Sequence, residues 1–121
     1  MPKKRVLIID DDSRNIFALT ATLRAKSFEC LSCLSAQEAL EILKTDAVID
    51  AILIDMMMPG MDGYEAIPRI KHLANRKDTP IFSVTAQAMT GDREKCLRAG
   101  ATDYIAKPID VDRLLQLLST I

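Results

Sequence analysis

Short apolar runs alternate with longer amphipathic stretches along the whole chain. Val6-Leu7-Ile8-Ile9 is apolar throughout, β-branched at all positions but one, and is followed by acids. A run without polar alternation predicts a strand buried on both faces. Residues 14–26 then carry Ile16, Phe17, Leu19, Leu23 and Ala25 at helical spacing, and Ser13 can cap them, with Asp12 one place earlier as the other candidate cap. Residues 28–34 read as a second strand. Ser35-Ala36-Gln37-Glu38 is a capping box that opens a helix to Lys44. Ile49 to Asp55 is another β-branched run, and Pro59-Gly60-Met61-Asp62-Gly63 is a turn. Tyr64 to Leu73 has a helical pattern, with Pro68 expected to kink or shorten it.

The rhythm continues to the end. Pro80 to Thr85 predicts a strand. Thr90 to Ala99 predicts a helix, closed by Gly100. Asp103 to Ala106 predicts a brief strand. Val111 to Ser119 predicts a last helix, with Asp110 at its start and Leu114, Leu115, Leu117 and Leu118 packing it down. Five strands alternating with five helices call for an α/β fold, a parallel sheet covered by helices on both faces. Ligand sites in such folds lie outside the carboxyl ends of the strands.

Size and composition narrow the function. The chain has 121 residues, the size of one domain, 1–121. Lys and Arg number 16 against 17 Asp and Glu, a net charge of −1. That balance argues against a polycationic surface for nucleic acid or membrane. Aromatics make up only 4% and Trp is absent, which argues against base-stacking platforms. No apolar stretch has the length of a signal peptide or a spanning helix, so the expected compartment is the cytosol. Cys30 and Cys33 have a C-x-x-C spacing. On a strand, residues three apart face opposite ways, so the pair cannot share a metal or a bond. Cys96 is expected to be a lone thiol as well.

The strand ends carry the chemistry. Asp10-Asp11-Asp12 follows the first strand, Asp55 ends the third, Thr85-Ala86 the fourth, and Lys107-Pro108 follows the fifth. The expected fold brings them to one crevice. Three carboxylates that close repel one another unless a cation lies among them. An all-oxygen donor set suits Mg²⁺. A lysine and a threonine hydroxyl opposite it suit a phosphoryl group. A carboxylate beside the metal can itself be the nucleophile. Met56, Met57, Met58 and Met61 are expected chiefly to fill core, and His72, the only histidine, to lie at the surface.

Taken together these residues resemble the receiver domain of two-component response regulators, of the chemotaxis-regulator type. Residues 6–12 match the family's opening strand and acidic pair. Residues 51–63, Ala-Ile-Leu-Ile-Asp-Met-Met-Met-Pro-Gly-Met-Asp-Gly, match its phosphoacceptor strand and following loop. Ser83-Val84-Thr85-Ala86 and residues 99–108 match its switch-threonine strand and final segment. The resemblance spans essentially the whole chain. It implies a doubly wound, flavodoxin-like (βα)5 fold with sheet order 2-1-3-4-5. It implies Asp55 as phosphoacceptor, taking a phosphoryl group from a histidine kinase or histidine phosphotransfer protein. It implies Mg²⁺, or Mn²⁺ in its place, held by Asp10, Asp11, Asp55 and the backbone carbonyl of Met57, with Asp10 acting largely through water. Lys107 and Thr85 would bind the phosphoryl oxygens. Thr85 and Tyr104 would move as the switch, Pro108 would be cis, and Gln87 would tune dephosphorylation. The resemblance also implies self-phosphotransfer and slow self-dephosphorylation rather than turnover of a substrate. The output would be a downstream domain or protein, with a phosphorylation-dependent dimer through the last two helices and fifth strand as an option. Neither nucleic acid nor membrane would be bound directly.

Two other functions stay open on the residues. Asp10-x-Asp12 after a β-branched strand also suits a phosphatase of the haloacid dehalogenase type, with Asp10 as nucleophile and Asp12 as acid/base. The chain is short for that fold, and Asp55 would have no part in it. A non-phosphorylated interaction module on the same fold is the other alternative.

Overall fold

The computed structural model describes residues 3–86 and 91–121. Strands β1 (Arg5–Ile9), β2 (Glu29–Cys33), β3 (Ala51–Asp55), β4 (Ile81–Thr85) and β5 (Asp103–Ala106) alternate with helices α1 (Ser13–Ala25), α2 (Ala36–Leu43), α3 (Gly63–His72), α4 (Asp92–Ala99) and α5 (Val111–Leu118). A single 3₁₀ turn, Ala74–Arg76, follows α3. All strand pairs are parallel and the order is β2-β1-β3-β4-β5, as expected. Every residue of β3 and β4 is buried, because helices cover both faces of the central strands.

Alternate residues of the sheet feed two cores. Leu7, Ile9, Ile52, Ile54 and Ile81 pack under α2, α3 and α4. Val6, Ile8, Leu53, Phe82 and Ile105 pack under α1 and α5. Cys33 belongs to the first core and Cys30 packs against the second, so the two thiols lie on opposite faces. Burial pushes the Cys33 thiol up to about 12, with the Glu38 carboxylate adding to it. No described helix is long and apolar enough to cross a membrane.

Several boundaries differ from expectation for physical reasons. Of the two candidate caps of α1, Asp12 takes the role rather than Ser13: the Arg14 N–H donates to Asp12 Oδ1 at 2.9 Å. Ser35 does cap α2 through the Glu38 N–H at 3.2 Å, while Glu38 reaches back to the N–H of Leu34. Phe17, expected on the buried face of α1, is 77% exposed; Leu19 and Leu23 make the contact with the sheet. Pro68 does not shorten α3, which runs on to His72. The proline lies on the exposed face and leaves the Tyr64 carbonyl without one helical bond, while Ala66, Ile67 and Ile70 stay buried around it. α4 begins at Asp92 and ends at Gly100 in the left-handed region, φ +117°.

The loop after β3 is tightly seated. Met56, Met58 and Met61 are buried, as core filling requires, but Met57 is exposed. Gly63 opens α3 directly over Met56; a Cβ there would stand 2.9 Å from the Met56 Cα, so only glycine fits. The Gly63 N–H also donates to the Met56 carbonyl at 3.2 Å. The loop that carries Met57 is thus pinned at both ends.

Candidate functional site

β1 and β3 are neighbours, yet the segments that follow them leave to opposite faces, α1 to one core and α3 to the other. That divergence opens a crevice at their carboxyl ends, the topological switch point of the sheet. Register pairs Ile9 with Ile54, so Asp10 and Asp55 emerge side by side. One carboxylate oxygen from each of Asp10, Asp11 and Asp55 lies within 4.8 Å of the other two. Asp10 and Asp55 are buried and Asp11 is exposed at the mouth.

Neutral and cationic donors hold these acids. The Met57 N–H donates to Asp55 Oδ1 at 3.0 Å, and Lys107 Nζ to Asp55 Oδ2 at 3.2 Å. The Asp12 N–H donates to Asp10 Oδ1 at 2.9 Å, and Asn15 Nδ2 to Asp10 Oδ2 at 2.6 Å. Burial pushes the Asp55 carboxyl above the usual carboxylate range; the Met57 N–H and Lys107 oppose that, and the Asp10 charge adds to it. Three carboxylates against one ammonium leave the pocket short of positive charge. An all-oxygen set at this spacing, two members of it buried, fits a small hard divalent cation.

Thr85 ends β4, buried, on the side of the sheet that faces α3 and α4. Its carbonyl accepts the Lys107 N–H at 2.7 Å, which ties the end of β5 to β4 and brings the Lys107 side chain to Asp55. The Lys107–Pro108 peptide bond is cis. Tyr104 is half-buried on β5, paired in register with Ser83, two residues before Thr85. Met57 lies beside the cluster through its N–H. Gln87 falls outside the described residues. His72 is exposed, at the far end of α3.

Asp12 stands apart from the acid cluster; its carboxylate turns to the α1 N-terminus. That orientation removes the acid/base which a phosphatase built on Asp10 would need. Asn15 joins the site with no signal of its own in the sequence. A polar residue in the first turn of a helix is ordinary, and only the fold shows that its amide meets Asp10.

A family model for the response regulator receiver domain matches residues 6–119. The chain belongs to this family. The receiver is 41% identical over 113 residues to the signal transduction histidine-protein kinase BarA of Escherichia coli K12, covering 93% of this chain and 12% of BarA. It is 37% identical over 106 residues to the response regulator PleD of Caulobacter vibrioides, covering 88% of this chain and 23% of PleD. It therefore spans less than a quarter of either relative. Among solved structures, the receiver domain of the sensor histidine kinase PA1611 from Pseudomonas aeruginosa superposes with a TM-score of 0.88 at 33% identity, covering 98% of this chain and 96% of that one. That structure has a magnesium ion coordinated in its active site cleft. A receiver is a phosphoaccepting switch of two-component signalling, and neither the phosphatase nor the silent-module alternative finds support.

Proposed function

We propose that Asp55 is the phosphoacceptor of this receiver and that Asp10, Asp11 and Asp55 hold the cation it requires. The observation that carries this reading is the convergence of three carboxylates on Asp55's side of the crevice with Lys107 3.2 Å from Asp55 Oδ2. A carboxylate oxygen of Asp55 attacks the phosphorus of a partner's phosphohistidine. The P–N bond breaks, a P–O bond forms, and an acyl phosphate on Asp55 and a free imidazole result. Chemistry of this kind needs positioning and charge neutralisation more than covalent help.

This chain's residues supply both. The Met57 N–H fixes the rotamer of Asp55. Lys107, already at the carboxylate, transfers its ammonium to the phosphoryl oxygens, and the Thr85 hydroxyl donates to them. Mg²⁺, when bound, neutralises charge on the transferring group; Mn²⁺ has the same preference for oxygen donors and serves in its place. The Met57 backbone carbonyl completes the protein ligands. The donor is a histidine kinase or histidine phosphotransfer protein.

The added charge biases two arrangements of the loop ends, with Thr85 moving toward the phosphoryl group and Tyr104 turning inward behind it. Arg93 of α4 and Arg113 of α5 both pair with Asp103 of β5, at 3.7 and 3.3 Å, so α4, β5 and α5 form a connected face. That face reports the state to an output domain, a partner protein or a second copy. Gln87 tunes the lifetime of the acyl phosphate. The compartment is the cytoplasm, where the kinase donors act.

Acetyl phosphate with Mg²⁺ tests the assignment. Mass spectrometry is expected to show one acid-labile phosphoryl group, lost with EDTA and lost in Asp55→Asn. Labelling that persists in Asp55→Asn would sink it.

A further inference from the structure

The acidic turn between β1 and α1 is closed by Asn15. This half-buried residue stands in the first turn of α1, three places after the cap Asp12. A side chain at that position commonly reaches back to the backbone N–H of the capping residue. Here the Asp12 N–H is already taken by Asp10 Oδ1, at 2.9 Å. Asn15 is freed to bond the other oxygen, Asp10 Oδ2, at 2.6 Å. A carboxylate only accepts, so the Asn15 NH₂ must face it. Both oxygens of Asp10 are therefore held, and residues 10–15 form a ring closed through one carboxylate. Asp11 lies within that ring, its carboxylate still in reach of Asp10 and Asp55.

The donor's neutrality matters. A lysine or arginine here would orient Asp10 as well, but it would be a second cation competing for the same three acids. An amide orients the carboxylate and leaves the site's charge for the metal. Each Asp10 oxygen keeps a lone pair for the cation or its bound water.

We propose that Asn15 is a positioning residue of the cation site, fixing the Asp10 carboxylate and, through the closed turn, the place of Asp11. This rests on the metal reading above. Outer partners of metal-binding side chains are worth roughly 10–100-fold in metal affinity. The Asp12 N–H would still hold Asp10 without Asn15, so about tenfold is expected.

Calorimetric titration of the whole chain with MgCl₂ decides it, on wild type, Asn15→Leu and Asn15→Ala, alongside urea unfolding in EDTA. Leucine keeps the size without the donor, and alanine suits the helix should leucine pack badly. Both variants are expected to bind Mg²⁺ about tenfold more weakly, with metal-free urea midpoints close to wild type. Variants whose Mg²⁺ affinity stays within about twofold of wild type overturn the inference while leaving the metal reading intact. A wild type that takes up no Mg²⁺ overturns both.

Discussion

Lys107 Nζ stands 3.2 Å from Oδ2 of Asp55, although the two residues sit at the ends of strands separated by β4. Lys107 reaches that place because its own N–H is anchored on the Thr85 carbonyl. Among the described residues this ammonium is the one cation paired with the acid cluster. It therefore opposes the binding of a second cation and assists the binding of an anion. Lys107→Ala is expected to shift these two affinities in opposite directions. Mg²⁺ binding should tighten by about threefold at low salt, as a competing charge leaves. Binding of beryllofluoride, which stands in for the phosphoryl group, should weaken by at least about tenfold with the loss of a charge-assisted bond. Calorimetry with each ligand measures both, and parallel changes would contradict the role assigned to Lys107.

Asp55 makes the resting protein less stable than its site would otherwise allow. Burial raises its pKa in the folded state, outweighing the bonds from Met57 and Lys107. The folded state thus binds this proton more tightly than the unfolded chain does. Stability falls as pH rises through the unfolded carboxylate value and on through the higher folded value, then levels off. Asp55→Asn carries no such penalty. In EDTA its urea midpoint should exceed that of wild type at pH 7. The gap should shrink steadily as pH is lowered toward the ordinary carboxylate range. Millimolar Mg²⁺ should narrow or reverse it, because a ligand that binds only the folded wild type stabilises it by mass action.

What could be read from residues alone divides along the range of the signal. β1, β3 and β4 are buried almost throughout, so they appear as predominantly apolar runs, β4 despite Ser83 in its middle, and are legible. The acids and Lys107 were legible because a strand end is a local feature and the fold class says where strand ends meet. Phe17 lies off the buried face of α1: helical spacing gives a period without saying where the apolar arc stops. Asp12 and Ser13 are both good caps, and only the backbone decides between them. Asn15, Ser83 and Arg76 were invisible for a different reason. Their significance is a neighbour, or the lack of one, supplied by packing.

Ser83 is the case of a missing neighbour. It is fully buried in β4, and its Oγ has no hydrogen-bond partner among the described residues. A buried hydroxyl left unbonded costs about 1–3 kcal/mol. Ser83→Ala removes that oxygen with almost no change of shape. The variant is expected to be more stable than wild type by about 1 kcal/mol in urea, with Mg²⁺ affinity unaltered. A destabilised variant would mean that the hydroxyl is satisfied after all.

Arg76 is the opposite case, a buried cation whose side-chain hydrogen bonds among the described residues all go to backbone carbonyls. It is 5% exposed, and no carboxylate pairs with it among the described residues. Its Nε donates to the Leu43 carbonyl at 3.0 Å, and Nη2 to the carbonyls of Thr45 and Ala47 at 2.9 and 2.8 Å. These groups lie at and just beyond the C-terminus of α2, where helical carbonyls run out of partners and the helix dipole favours positive charge. Asn75 donates to the first two carbonyls as well, so only that of Ala47 depends wholly on the guanidinium among the side chains. Arg76→Ala is expected to cost about 2–4 kcal/mol, the sum of the lost charge-assisted bonds and a stranded buried carbonyl, less what Asn75 and water recover. Arg76→Lys should recover less than half, because one ammonium on a flexible stem cannot reproduce the rigid fork that spans all of these acceptors. Urea unfolding gives both numbers. Mg²⁺ affinity should stay at the wild-type value in each variant, since Arg76 lies just before β4 and the acid cluster at the strands' opposite, carboxyl end.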